Sequence, residues 1–193
     1  MKRLFATALA LSAFCTPVLA QPDLEPNSYA AMGCMKLREC TEGITQLKSV
    51  TQLNEYFNTT EFNLYKTEID RMLTSLNKAG VKVLLAEPDN FPRTHRGTYY
   101  TDTNMFFLNA GYVYNAEVFM KVFRHEGWHA AQDCMAGTID NSMIAVIYND
   151  EIIPQPYKLD AEIRYGMMSP GAIPWEQEAI WAGHVPNMTA DAL

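Results

Sequence analysis

Residues 122–134 read VFRHEGWHAAQDC, and the middle of this stretch contains the pattern H-E-x-x-H. His125 and His129 are four residues apart, so on a helix their side chains share one face, one turn apart. Two imidazoles in this arrangement can both reach a single Zn²⁺ ion at about 2.0–2.1 Å. Glu126 lies about 100° further round the helix, where it can accept a proton from metal-bound water. The stretch therefore predicts a helix that carries a zinc site.

The pattern is specific for a chain of this composition. With four histidines and 13 glutamates in 193 residues, chance gives about 0.005 such patterns. The helix around it is predicted from about residue 116 to residue 135, with Asn115 as N-cap and Gly137 as the C-terminal stop. Its apolar residues form a stripe that we expect to be buried: Val118, Phe119, Val122 and Phe123.

The rest of the chain predicts further helices around a small sheet. Helical patterns cover residues 28–57 (with a loop from Cys40 to Gly43), 61–78, 157–168 and the stretch from Pro174 to about Gly183. Strand patterns cover residues 81–87 (VKVLLAE), 97–101 (GTYYT) and 105–109 (MFFLN), with a turn at residues 102–104. Strands grouped in the middle of the chain, with helices on both sides, indicate an α+β fold.

The N-terminal residues 1–20, MKRLFATALALSAFCTPVLA, have the pattern of a signal peptide. Two basic residues precede an apolar stretch, residues 4–14, which is too short to span a membrane. Val18 and Ala20 are small residues at the positions that a signal peptidase reads. We therefore expect residues 21–193 to form a single exported domain, periplasmic or secreted, without membrane insertion.

The charge of the chain disfavours a nucleic-acid partner. Its formal net charge is −7, from 15 basic and 22 acidic residues. Affinity for phosphate backbones comes from clustered Lys and Arg side chains, and the only basic run is at the first three residues. We expect no binding to nucleic acid, and nothing in the sequence indicates the oligomeric state.

Three cysteines remain once residues 1–20 are set aside: Cys34, Cys40 and Cys134. In an oxidising compartment they are candidates for one disulfide and one spare thiol. We favour a bridge from Cys134 to Cys34 or Cys40, which would tie the N-terminal segment to the motif helix. A local bridge between Cys34 and Cys40 is the alternative.

From the strand at Gly97, through HEGWH, to the acidic helix near Glu178, the chain resembles the small zincin metallopeptidases. The resemblance is specific at HEGWH and loose elsewhere. It implies a minimal zincin-like domain, in which a small mixed sheet packs on the active-site helix. In zincins a strand beside that helix pairs with the substrate backbone, and residues 105–109 are the best match for that strand here.

The resemblance also bears on the third zinc ligand, since catalytic zinc has three protein ligands and an open position for water. The zincin subtype with three histidines reads H-E-x-x-H-x-x-G-x-x-H. Gln132 and Met135 replace its Gly and last His here, so this subtype is excluded. What remains resembles the gluzincins, whose third ligand is a Glu on a later helix. Residues 174–179 (PWEQEA) resemble their E-x-E-A pattern, which implies Glu178, on a helix face with two alanines.

The sequence leaves more than one candidate for the third ligand, for the group that orients a histidine and for the oxyanion donor. Besides Glu178, the candidates for the third ligand are Glu162, Glu176, Asp160 and His184. A neighbouring polar group should orient a ligating histidine, and the candidates are Gln132 and Asp133. Zincins also place a Tyr or His that stabilises the developing oxyanion, and the available residues are Tyr148, Tyr157, Tyr165 and His184.

Together these features predict an exported zinc-dependent hydrolase with one Zn²⁺ ion per chain. His125, His129 and Glu178 would hold the metal, and Glu126 would take the proton of the attacking water. A peptide or protein substrate is implied by the zincin resemblance, because a fold alone does not fix a substrate. The alternative is a catalytically inactive zincin-like module that is exported for binding or for a structural role.

Overall fold

A computed structural model describes residues 28–137 and 142–193 of the chain. Within these ranges there are seven α-helices and one four-stranded sheet, so the predicted α+β class is confirmed. The predicted signal peptide, residues 1–20, lies outside the described residues. In chain order the elements are α1 (Tyr29–Lys36), β1 (Ile44–Gln46), α2 (Val50–Phe57), α3 (Lys66–Lys78), β2 (Lys82–Ala86), β3 (Gly97–Tyr100), β4 (Met105–Asn109), α4 (Ala116–Met135), α5 (Gln155–Tyr165), α6 (Ile173–His184) and α7 (Met188–Ala192).

The sheet is mixed, with strand order β1-β2-β4-β3. β2 and β4 run parallel, while β1 and β3 pair antiparallel with β2 and β4 respectively. All five residues of β4 are buried, because other elements cover both faces of the sheet. Phe106 and Leu108 join the core formed with α3 and α4, whereas Met105 and Phe107 pack with residues of α1. Burial on both faces explains why β4 is a continuous apolar run instead of an alternating one.

α4 carries the H-E-x-x-H motif, and its two ends agree with the sequence prediction. The Asn115 side chain accepts hydrogen bonds from the backbone N–H groups of Glu117 and Val118, which caps the helix. Phe123 is fully buried in the main core. Gly137 follows the last turn with φ of 128°, a conformation that glycine adopts readily, and the helix ends there.

Some elements differ from the expectation. Residues 28–57, predicted as mainly helical, also contain β1, which has three residues and is held by pairing with β2. The helix predicted over residues 61–78 begins as a 3₁₀ helix at Glu61–Tyr65 and continues as α3. α7 was not predicted. β1 and α7 are both too short to show a periodic pattern, so their formation depends on tertiary contacts.

The disulfide joins Cys34 to Cys40, with their Cα atoms 5.3 Å apart. The favoured prediction of a bridge from Cys134 is therefore wrong, and the local bridge is confirmed. The backbone N–H groups of Glu39 and Cys40 both bond to the carbonyl of Cys34, so the chain turns back directly after α1. Cys134 is an exposed free thiol near the end of α4.

Candidate metal centre

The two motif histidines and one glutamate meet between α4 and α6. The imidazole rings of His125 and His129 have their centroids 4.9 Å apart and their planes perpendicular. Glu176, in the first turn of α6, places Oε2 3.4 Å from His125 Nε2 and Oε1 3.7 Å from His129 Nε2. One ligand atom from each of the three side chains lies within 4.8 Å of the others. This group could hold a metal ion.

Small residues allow α6 to approach α4 this closely. A Cβ atom at Gly183 would lie 2.9 Å from the backbone oxygen of Lys121, which is closer than Cβ atoms normally come. Ala179 and Ala182 are fully buried and cluster with Trp128 of α4. The prediction that a small-residue face of this helix packs on the motif helix is confirmed.

Glu178 does not join the histidines, although the resemblance implied it as the third ligand. Residues two apart on an α-helix point about 200° apart, so Glu176 and Glu178 face different neighbours. Glu178 is fully buried in the interface with α4. Its carboxylate accepts hydrogen bonds from Trp128 Nε1, Gln132 Nε2 and the backbone N–H groups of Ile147 and Tyr148. The place beside the histidines belongs to Glu176.

Glu162, Asp160 and His184 also lie away from the two motif histidines. Glu162 is exposed, Asp160 forms an ion pair with Arg164 at 2.8 Å, and the exposed His184 bonds to the backbone of its own helix. Glu176, one of the candidates that the sequence left open, is thus the carboxylate that the structure brings to the site.

The local chemistry of Glu176 fits a metal ligand. Its Oε2 atom is buried and has no hydrogen bond of normal geometry to any residue that the structure describes. A buried carboxylate oxygen that accepts no full hydrogen bond is costly, and coordination to a cation is one way to satisfy it. Two imidazole nitrogens and one carboxylate oxygen also form a donor set that suits Zn²⁺.

Gln132 contacts the motif histidine His129. Its Oε1 atom lies 2.8 Å from Nδ1 of His129. Asp133, the other candidate, instead accepts a hydrogen bond from the Tyr99 hydroxyl at 2.6 Å. The expectation of a polar group that orients a histidine is therefore met by Gln132.

Glu126 is buried where β3 crosses α4. A Cβ atom at Gly97 would lie 2.9 Å from Glu126 Cγ and 2.8 Å from Val122 Cγ1, so the strand comes this close because residue 97 is glycine. Burial raises the pKa of the Glu126 carboxyl; the nearby histidines and a hydrogen bond from the Tyr99 backbone N–H act in the opposite direction. A carboxyl whose pKa is raised toward neutrality is better suited to act as a general base.

The strand beside the site is β3. The prediction that residues 105–109 are the strand that pairs with the substrate is therefore wrong. Residues 105–109 form β4, which is hydrogen-bonded to β2 on one side and to β3 on the other. A strand paired on both sides offers no backbone groups to a substrate. Among residues 28–137 and 142–193, β3 pairs with β4 alone, and its other edge faces Glu126 through the backbone N–H of Tyr99.

The charges at the site favour a bound cation. Burial alone would lower the pKa of His129, but the adjacent Glu176 carboxylate, the charge of Glu126 and the hydrogen bond to Gln132 raise it to about 9. Burial would raise the pKa of Glu176, but His125 and His129 hold it well below its usual range. Without metal, the two carboxylates thus retain a proton on His129, and a metal cation can take the place of that positive charge.

In the metal-free protein, we expect His129 to titrate at about pH 9, and the Glu176→Gln variant to lower that pKa. Because the folded-state pKa is raised above 6.5, protonated His129 stabilises the fold fully below pH 6.5, and this contribution is lost as the pH rises through about 9. NMR titration of the His129 imidazole measures this pKa in the wild type and in the Glu176→Gln variant. The exposed Glu162→Gln change is the control, and an unchanged His129 pKa in Glu176→Gln would contradict the interpretation.

Tyr165 is the oxyanion candidate that the structure brings to the site. Burial raises the pKa of the Tyr165 hydroxyl, and the charges of the nearby Glu176 and Glu126 add to this. The hydroxyl is therefore protonated at neutral pH and can donate a hydrogen bond. The other tyrosine candidates contact rings elsewhere: Tyr148 stacks on Trp128, and Tyr157 lies against His184.

Two residues at the site were not predicted to belong to it: Gly97 and Tyr99. A glycine within a strand often marks the close approach of another group, which is the signal that could have identified Gly97. The backbone N–H of Tyr99 carries no sequence signal, because any residue except proline would supply it.

Comparisons of the chain with protein-family models, with curated proteins and with solved structures gave no match.

Proposed function

We propose that this protein is a zinc-dependent hydrolase that cleaves peptide bonds, with zinc held by His125, His129 and Glu176. The observation that carries the proposal is the meeting of these three side chains next to the buried Glu126. Three protein ligands of this kind leave one zinc position open for water or substrate. The choice of peptide bonds comes from the zincin resemblance of the HEGWH motif.

The residues around the metal position have separate roles in this reaction. His125, His129 and Glu176 would hold the zinc ion, which would supply a lowered pKa for bound water and polarisation of the carbonyl that is attacked. Glu126 accepts the proton of the attacking water and transfers it to the leaving amine, and its raised pKa suits both steps. Tyr165 donates a hydrogen bond to the developing oxyanion from its position beside Glu176.

The outer edge of β3, which pairs with no strand among the described residues, supports an extended peptide as the substrate. β3 is the last strand of the sheet on the side of the metal centre, and Gly97 and Tyr99 of this strand lie against Glu126. An extended peptide can add to such an edge through main-chain hydrogen bonds. A peptide bound there would run past Glu126.

We expect Tyr165→Phe to lower kcat by about 10²–10³-fold, which is typical for the loss of one oxyanion donor, with KM and zinc content nearly unchanged. The ring is retained, so the change removes the hydroxyl alone. Tyr157→Phe removes a hydroxyl on the same helix and is the matched control. Equal kcat values for Tyr165→Phe and the wild type would remove Tyr165 from the mechanism.

We also propose that the protein is exported. The signal-peptide pattern of residues 1–20 supports this, and the Cys34–Cys40 disulfide is typical of oxidising compartments. No helix within residues 28–137 and 142–193 is both long and apolar enough to cross a membrane.

The test of the proposed function is the zinc content of purified residues 21–193, measured by elemental analysis after gel filtration without chelator. We expect about one zinc ion per chain, as for a single three-ligand site. Absence of zinc, even after zinc is added back to the folded protein, would contradict the proposal. Hydrolysis of unfolded protein substrates, abolished by a chelator and restored by zinc, is the matching activity result.

A further inference from the structure

We infer that Glu178 and Gln132 form a fixed hydrogen-bond relay that sets the tautomer of His129 and directs its Nε2 atom at the metal position. The inference rests on the proposed metal site and deepens it. It makes Glu178 and Gln132 positioning residues, which act on the metal through His129 instead of binding it.

The first step is the orientation of the Gln132 side-chain amide. Its Nε2 atom donates to Glu178 Oε2 at 2.7 Å and to the backbone oxygen of Trp175 at 3.1 Å. Both partners can only accept hydrogen bonds, so the amide nitrogen has to face them. A flipped amide would place an acceptor oxygen against two acceptors. Oε1 of Gln132 therefore faces His129, with Nδ1 at 2.8 Å.

The second step concerns the imidazole of His129. The Gln132 oxygen can only accept, so Nδ1 of His129 has to carry the hydrogen of this contact. A neutral imidazole has one N–H group, and when it is on Nδ1 the lone pair is on Nε2. Nε2 is the atom that faces Glu176, at 3.7 Å. At 3.7 Å the Glu176 carboxylate is beyond hydrogen-bond distance of Nε2, whereas Nδ1 and the Gln132 oxygen are 2.8 Å apart. The relay therefore favours the tautomer with the hydrogen on Nδ1, in which the Nε2 lone pair is free to ligate.

The third step is the anchoring of Glu178. This carboxylate is fully buried, and its other donors come from α4 and from the segment that precedes α5: Trp128 Nε1 and the backbone N–H groups of Ile147 and Tyr148. Donors on several sides hold both carboxylate oxygens in place. A glutamine at this position would direct an N–H group toward other N–H donors, so the relay needs a carboxylate.

The test uses the metal-free protein with ¹⁵N-labelled histidine at pH 10, above the pKa of about 9 of His129. We expect wild-type His129 to be in the Nδ1–H tautomer. Gln132→Met keeps the length of the side chain but removes both hydrogen-bonding atoms. This variant should populate the Nε2–H tautomer and bind zinc about 10–100-fold more weakly, as is typical when the partner of a ligating histidine is lost. Glu178→Gln should also raise the Nε2–H population of His129 and weaken zinc binding.

Thr189→Val is the matched control, because it removes a buried hydrogen bond to the backbone of α4 that involves neither histidine. It should leave the tautomer and the zinc affinity at the wild-type values. An Nε2–H tautomer in the wild type would overturn the inference without requiring any variant to fold. Equal tautomer populations in Gln132→Met and Thr189→Val would also overturn it. A wild type that binds no zinc but shows Nδ1–H would contradict the proposed function and support the relay.

Discussion

Replacing Glu126 with Gln should lower the rate of peptide hydrolysis by about 10²–10⁴-fold, the usual contribution of a general base. The amide has nearly the same size but cannot take a proton from water. Glu126 is not among the three side chains that meet at the metal position, so we expect the zinc content to stay at the wild-type value. Steady-state kinetics on a protein substrate, together with elemental analysis, measure both quantities.

The matched control is Glu117→Gln. Glu117 is on the same helix, but its side chain is largely exposed and pairs with Lys121 at 3.1 Å. The Glu117→Gln variant should retain full hydrolytic activity. If Glu126→Gln retained activity and zinc, general-base catalysis by this residue would be ruled out. If the wild type bound zinc but hydrolysed no substrate, a binding or structural role would be the better account.

Replacing Glu176 with Ala should weaken zinc binding more than any other single change in a glutamate of the chain. The substitution removes one of three protein ligands, whereas loss of an orienting partner typically costs only about 10–100-fold in affinity. Competition with a chromophoric zinc chelator measures the affinity. Glu178→Gln should show the smaller effect that is expected of a positioning residue, because its carboxylate does not reach the histidines.

Glu162→Ala serves as the control for Glu176→Ala, since Glu162 is an exposed glutamate on the neighbouring helix α5. Its zinc affinity should equal that of the wild type. A larger loss for Glu178→Gln than for Glu176→Ala would restore the ligand that the E-x-E-A resemblance implied and overturn the assignment of Glu176.

The parts of the site that the sequence predicted are those that depend on local structure. The spacing of His125 and His129 requires only a helix, and the limits of that helix follow from Asn115 and Gly137. The strand patterns of residues 81–87 and 97–109 were equally local. Helical and strand periodicities are properties of neighbouring residues, so they can be recognised without knowing the packing.

The third ligand could not be derived this way, because it depends on how α6 is rotated against α4. Both Glu176 and Glu178 are compatible with a helix that packs through small residues. In the structure, the backbone N–H groups of Ile147 and Tyr148 donate hydrogen bonds to the Glu178 carboxylate. This leaves Glu176 as the carboxylate beside the histidines. The pairing of Cys34 depends in the same way on the turn after α1, which no periodic pattern predicts.

The Cys34–Cys40 bridge has a practical consequence for preparing this protein. It spans a sequence separation of only 6, and all three side chains at the metal position lie outside that loop. Cleaving it with a reductant would release a turn after α1 while α4 and α6 stay connected through their own packing. We therefore expect reduction of this bridge to leave the proposed metal position intact, so that protein made in a reducing expression host should bind zinc as well as protein with the bridge formed.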